Sequence, residues 1–169
     1  TPFVGFTAEE VRKLCEQYHM DYEETMSWYD GYQFRDMTSI CNPRSVVSAM
    51  ESGILDTYWT ETETFEALKI YIDMNFAGLR DTIVKLMAGG RQKIDTRSFV
   101  NDMTTFHSAD DVLTLLVHLG YLGYDFDTKE VFIPNREIMG EYVTATRVSQ
   151  WSEIVHSVLQ SDKLLQATW

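Results

Sequence analysis

Between Leu79 and Ile133 the chain reads as helix, strand, helical turn, helix and strand–turn–strand. That order constrains the fold more than any single segment does. Leu79 to Met87 has helical spacing and is closed by Gly89-Gly90, the clearest break in the middle of the chain. Gln92 to Asp95 reads as a short strand, and Ser98 to Met103 as one or two helical turns. Ser108 should cap a strongly apolar helix running to Leu119, with Asp110 and Asp111 in its first turn and Gly120 behind it. Tyr121 to Phe126 and Val131 to Ile133 form a hairpin around Asp127-Thr128-Lys129. Six pieces in this sequence are those of a winged helix.

The part before Gly89 is mostly helical. Thr7 is an N-cap with Glu9 and Glu10 in the first turn, and Val11, Leu14, Cys15 and Tyr18 then fall at helical spacing. Asp21 caps a second helix through Tyr22, Thr25, Met26 and Tyr29, which Asp30-Gly31 stops. Tyr32 to Phe34 alternates, and Arg35 to Thr38 turns into a second short strand ending near Ile40. Asn42-Pro43 starts a helix with Pro at its first position, and Gly53 ends it. Thr60 to Glu63 reads as either a loop or a helix start, and helical periodicity returns from Phe65 to Met74. From Asn135 to about Leu165 the chain is again helical, with an interruption near Val148-Ser149.

The fold class expected is therefore mostly α with small β-hairpins. Residues 1–76 form a helical lid-like subdomain, 77–134 a winged-helix-like subdomain and 135–169 a C-terminal helical segment. With 44% hydrophobic and 24% charged residues, the chain is composed as a globular protein. No apolar run approaches the roughly 20 residues that span a bilayer. Neither a signal peptide nor an initiator Met opens the chain, so a segment of a longer cytoplasmic protein is expected.

A winged helix reads DNA with its third helix in the major groove, through Arg, Lys, Asn or Gln at base edges. Here that helix, Ser108 to Leu119, has no Lys and no Arg, and two aspartates stand at its N-terminus. The hairpin offers Lys129, but Asp125, Asp127 and Glu130 surround it. At a net charge of −12 the chain repels phosphate backbones over most of its surface. Protein partners are expected before DNA, with a nucleic-acid-binding module as the alternative.

Catalytic motifs are missing from the sequence. It contains no nucleophile elbow and no G-x-x-x-x-G-K-S/T, and Gly89-Gly90-Arg91 is a helix stop. His19, His107, His118 and His156 share no ligand spacing, and Asp125-x-Asp127 lacks the Gly and Glu of a calcium loop. Neither catalytic nor metal residues are assigned. Cys15 and Cys41 could pair, but reduced, buried thiols suit an intracellular chain better. The densest aromatic cluster, Trp28-Tyr29-Asp30-Gly31-Tyr32-Gln33-Phe34, has two readings. One is a stacking platform for a base; the other, preferred, is a helix end whose aromatics cover the adjacent hairpin, with Gly31 at positive φ.

Several stretches together resemble one family. Gly5-Phe6-Thr7 with Glu10-Val11, Trp28-Tyr29-Asp30-Gly31-Tyr32 with Phe34, Asn42-Pro43 with Ser45-Val46, and Tyr58-Trp59 recur in this order in the bacterial AAA-ATPase-like family. Leu119-Gly120-Tyr121-Leu122 and Phe132-Ile133-Pro134-Asn135 with Glu137 resemble its later part. The family commonly has Gly where Arg35 stands, Tyr where Cys41 stands and Trp where Arg44 stands. In that family a P-loop ATPase domain is often followed by a PD-(D/E)xK-type nuclease domain. The resemblance implies that this chain is the helical lid and winged helix after the ATPase core, non-catalytic by itself. It implies partners in the upstream core and any downstream nuclease domain of the same protein. ATP and Mg2+ would belong to the full-length protein, with no cofactor in this segment. Tyr29, Asp30 and Tyr32 become candidates for residues near nucleotide, because the cluster falls early in the lid.

Overall fold

A computed structural model describes residues 5–34, 37–58, 65–100, 105–148 and 151. Contacts divide the chain into two units, Thr1–Thr64 with Pro134–Gly140, and Phe65–Ile133 with Glu141–Trp169. Among the described residues there are seven helices and two small antiparallel three-stranded sheets. None of these helices is long and apolar enough to cross a membrane.

The first unit begins with β1 (Phe6–Thr7) leading into α1 (Ala8–Tyr18). Thr7 forms a full capping box: its hydroxyl accepts from Glu10 N at 3.3 Å, while Glu10 Oε2 accepts from Thr7 N at 2.9 Å. Two first-turn donors are thereby satisfied. The helix closes at His19, in the left-handed region, with Met20 N bonded to Cys15 O at 2.9 Å. Asp21 caps α2 (Tyr22–Tyr29) through a 2.7 Å bond from Glu24 N. Asn42 caps α3 (Pro43–Ser52), accepting from Arg44 N and Ser45 N. Val11 and Cys15 of α1, Tyr29 of α2, and Val46, Ala49 and Met50 of α3 bury one face each around Cys41. A fully buried large apolar side chain of this kind is worth about 1.5–3 kcal/mol.

The expected hairpin of this unit is part of a sheet of order β1-β3-β2, with β2 at Tyr32–Phe34 and β3 at Met37–Cys41. β1 is the addition, pairing Phe6 with Cys41 and Thr7 with Ile40. Two residues are too few to show alternation. What lets them pair is Gly5, where a Cβ would lie 2.6 Å from Cys41 O and 2.5 Å from an Ile40 methyl. Thr60 to Glu63, whose sequence suits a loop or a helix start, lie outside the described residues, as do 35 and 36 of the expected turn.

In the second unit α4 spans Phe65–Ile72 and α5 spans Leu79–Met87. α4 stops two residues short of the expected end, because Met74 N turns back to Tyr71 O at 3.3 Å and tightens the last turn. β4 (Gln92–Lys93) is also shorter than expected. Ile94 N still reaches Lys129 O at 3.1 Å, but Asp95 N bonds to the Asp110 carboxylate at 2.9 Å, which takes the backbone off the ladder. Residues 97 and 98 form a turn and 99 and 100 are irregular, while the rest of the expected helical turn, 101–103, lies outside the described residues.

Next come α6 (Ala109–His118), β5 (Gly123–Asp125) and β6 (Glu130–Phe132). Ser108 occupies the cap of α6 without a side-chain capping bond. Tyr121 and Leu122 were expected in the hairpin but are not paired there. Their N–H groups both bond to Leu116 O, at 2.9 and 3.2 Å, and so close α6. The three strands lie in the order β4-β6-β5, with Gln92 opposite Val131 and Tyr124 opposite Val131 on the other side. α7 (Arg136–Val148) follows, its first residues belonging to the first unit and the rest to the second. The expected continuation beyond Trp151 lies outside the described residues.

Cys15 and Cys41 are both free and buried. Cys41 Sγ lies 3.7 Å from Met26 Sδ, and desolvation pushes its thiol from 9.0 up to about 12, with a smaller contribution from Asp30. Burial likewise raises the Tyr29 hydroxyl above its ordinary value, against the opposing hydrogen bond with the Asp56 backbone. The folded unit keeps both groups neutral where the unfolded chain would ionise them. The contribution of Cys41 to stability is complete below about pH 9 and is lost as pH rises toward 12, while that of Tyr29 persists to higher pH. Denaturant midpoints measured across that range should fall, and fall less in Cys41→Ala; equal losses in both proteins would exclude the thiol as a cause.

Candidate functional site

The Trp28–Phe34 segment joins the end of α2 to β2. Tyr29 is fully buried, and its hydroxyl donates to Asp56 O at 2.8 Å and accepts from Asp56 N at 3.1 Å. Its carbonyl accepts from Asn42 N at 3.3 Å. Asp30 is half-buried; Oδ1 accepts from Ser39 Oγ at 2.8 Å, and its carbonyl accepts from Asn135 Nδ2 at 2.8 Å. Asn135 also caps α7, since its Oδ1 accepts from Ile138 N at 3.0 Å. Gly31 has φ +109 and lies against the backbone of Pro134. Tyr32 is half-buried and paired to Ile40.

The structure thus places Tyr29, Asp30 and Tyr32 around one tight corner that turns at Gly31, with different surroundings. Tyr29 points into the core, while Asp30 braces β3 and the Pro134–Asn135 segment. Trp28 is the half-buried aromatic beside them, 6.3 Å from the Tyr29 ring and under the Arg136 guanidinium at 4.9 Å. Gly31 does have the positive φ that a helix-end reading of this cluster requires.

Asn135 and Glu137, which the sequence offered only as a helix start and as part of the family resemblance, complete this corner. Glu137 is fully buried, and its Oε1 accepts from Ser45 Oγ and from Tyr58 N, each at 2.8 Å. In sequence it looks like an ordinary first-turn acid. Only Asn135, an N-cap residue at the start of the expected helix, carried a local signal.

In the second unit the two aspartates at the tip of α6 are occupied internally. Asp110 Oδ2 holds Asp95 N, and Asp111, fully buried, accepts from Ser98 Oγ at 2.7 Å and His107 N at 2.8 Å. Positions 111 to 116 are all buried. Six consecutive residues exceed the about 3.6 of one turn, so α6 is covered on every side there. On the hairpin, Asp125 Oδ1 accepts from Asp127 N and Thr128 N, and Arg91 reaches its Oδ2 at 3.1 Å. Those turn N–H groups, and then Arg91, hold the Asp125 carboxyl below its usual range. Glu130 lies 3.8 Å from the same guanidinium. The acids read as surrounding Lys129 are thus partly turned toward Arg91 and the turn backbone.

A cleft of about 560 Å3 opens beside this hairpin, lined by Lys93 to Arg97, Tyr124 and Lys129. Arg97 is clamped by Asp95, with Nε at 2.9 and 3.2 Å and Nη2 at 2.7 Å from its carboxylate. This pairing, side chain first and backbone second, keeps Asp95 ionised far below the usual carboxylate range. Among the described residues no group of three or more His, Cys, Asp and Glu could hold a metal ion. The chain matches no protein-family model, no curated protein and no solved structure.

Proposed function

We propose that this chain is the helical lid and winged-helix segment of a larger P-loop ATPase-like protein of the bacterial AAA-ATPase-like family. By itself it is non-catalytic and acts through intramolecular or protein–protein contacts. ATP and Mg2+ would be held by the upstream core, and a downstream nuclease domain would be a further partner within the same protein. The observation that carries this reading is the covering of α6 from Asp111 to Leu116. A helix that reads DNA keeps one face free for the groove; this one spends its faces on packing and its acids on neighbouring loops. Sheet order β4-β6-β5 supports the winged-helix part, since the strand before the helices pairs with the last strand of the hairpin.

Fluorescent duplex DNA titrated with the chain at low salt should give a flat anisotropy curve. Saturable binding that weakens steeply with salt would replace this reading with a nucleic-acid-binding module. In the longer ATPase-containing protein, Asp30→Ala tests the nucleotide-proximal role of the Tyr29–Tyr32 corner. A change in ATP affinity or turnover is expected if that corner meets nucleotide; unchanged values for both remove it.

A further inference from the structure

The cleft beside the β5–β6 hairpin gathers groups that the proposed lid and winged-helix role does not use. Lys93, Thr96, Tyr124 and Lys129 line it, and among the described residues none of these four side chains has a protein hydrogen-bond or ion-pair partner. All four can donate. Asp95, the only carboxylate among the described lining residues, is clamped by Arg97, and Lys129 adds a weaker charge interaction with it. Counting lining residues alone, three cations against one acid leave two positive charges, in a chain whose net charge is −12. Glu130, outside the lining, lies opposite Lys93 in the ladder and shares the Arg91 guanidinium with Asp125, at 3.8 Å against 3.1 Å.

The backbone beneath the two lysines is fixed. Lys129 sits at φ +57, its N–H bonded to Asp125 O at 2.8 Å and its carbonyl accepting from Ile94 N. The same turn therefore ties the β4 end, which carries Lys93, to the hairpin. Tyr124 contributes an aromatic wall, with Phe126 edge-on to it at 5.0 Å and 46% exposed.

We propose that this cleft binds a small ligand carrying a phosphate monoester, with Lys93 and Lys129 on the phosphate and the Tyr124 ring against its organic part. The inference is independent of the ATPase reading. A phosphate monoester carries about −1.5 to −2 at pH 7, which matches the two unbalanced cations. The size suits such a ligand, since small-molecule pockets run roughly 300–1,000 Å3. Charge range argues against a polymer: screening acts over about 8 Å, so a small dianion meets the cleft alone, whereas a nucleic acid strand crosses the acidic surface around it.

The test is an amide chemical-shift titration of the 169-residue chain with phenyl phosphate, inorganic phosphate, phenol and an unphosphorylated oligothymidine. Phenyl phosphate should shift residues 93–97 and 124–129 saturably, and bind more tightly than either of its halves. Lys93→Ala combined with Lys129→Gly should weaken it about tenfold or more, since two charge-assisted contacts are lost. Glycine is at ease at positive φ, so Lys129→Gly removes the charge while preserving the turn. Arg147→Ala, an exposed cation elsewhere in the unit, should leave binding unchanged. The proposal is overturned by no saturable shift at about 10 mM ligand, where a millimolar complex would be filled. It is overturned equally by shifts that survive the double variant, or by oligothymidine binding there more tightly than phenyl phosphate.

Discussion

Gly31→Ala is expected to destabilise the first unit by on the order of 3 kcal/mol or more, enough to unfold a marginal domain. Two costs combine at this position. The backbone stands at φ +109, where an L side chain is strained, and an added Cβ would drive into the Pro134 carbonyl, with Pro134 C at 2.8 Å and Cα at 3.0 Å. Backbone cannot rotate away as a side chain can. Asn135 bonds the Asp30 carbonyl, so moving Pro134 also disturbs the start of α7. Gly53→Ala separates the two costs, because Gly53 has φ +71 and nothing within 4 Å of its would-be Cβ. That control should lose about 1 kcal/mol. Denaturant unfolding of both variants decides the matter, and comparable losses would show that the Pro134 contact is not tight.

Asp111→Ala should produce the second large loss, about 2–4 kcal/mol in the second unit. The fully buried carboxylate accepts from Ser98 Oγ and His107 N, and its removal strands both donors at the tip of α6. It also removes a negative charge from the first turn of a helix, where the dipole favours one. Asp111→Asn should recover part of the loss, since the amide oxygen can still accept one of the two bonds. Amide exchange at His107 should accelerate in Asp111→Ala; unchanged protection there would mean the carboxylate is not what holds that loop.

Asp111 also illustrates why the sequence was readable only in part. Two aspartates after a cap residue give a firm helix start, and α6 does begin there. As charges on a presumed reading helix they suggested repulsion of DNA. Their actual partners, Asp95 N, Ser98 Oγ and His107 N, lie in segments whose positions no periodicity specifies. Lys129 shows the reverse case. Linear neighbours made it look masked by acids, whereas Arg91 and the turn N–H groups draw on Asp125, and Arg91 on Glu130, while Lys93 arrives from a separate strand.

What the sequence determined by itself is therefore local. Thr7, Asp21, Asn42, Gly53, Gly89 and Gly120 set where helices start and stop, because caps and positive-φ glycines act through bonds three or four residues away. The helix spacing of Leu79–Met87 determined α5 to the residue. Tertiary structure decided the rest: the pairing of β1 with β3, the early end of β4, the burial of Tyr29 and Glu137, and the gathering of Lys93, Tyr124 and Lys129 around one cleft. Each depends on groups far apart in the chain meeting at hydrogen-bond or contact distance. That geometry follows from how the elements pack, and no window of neighbouring residues contains it.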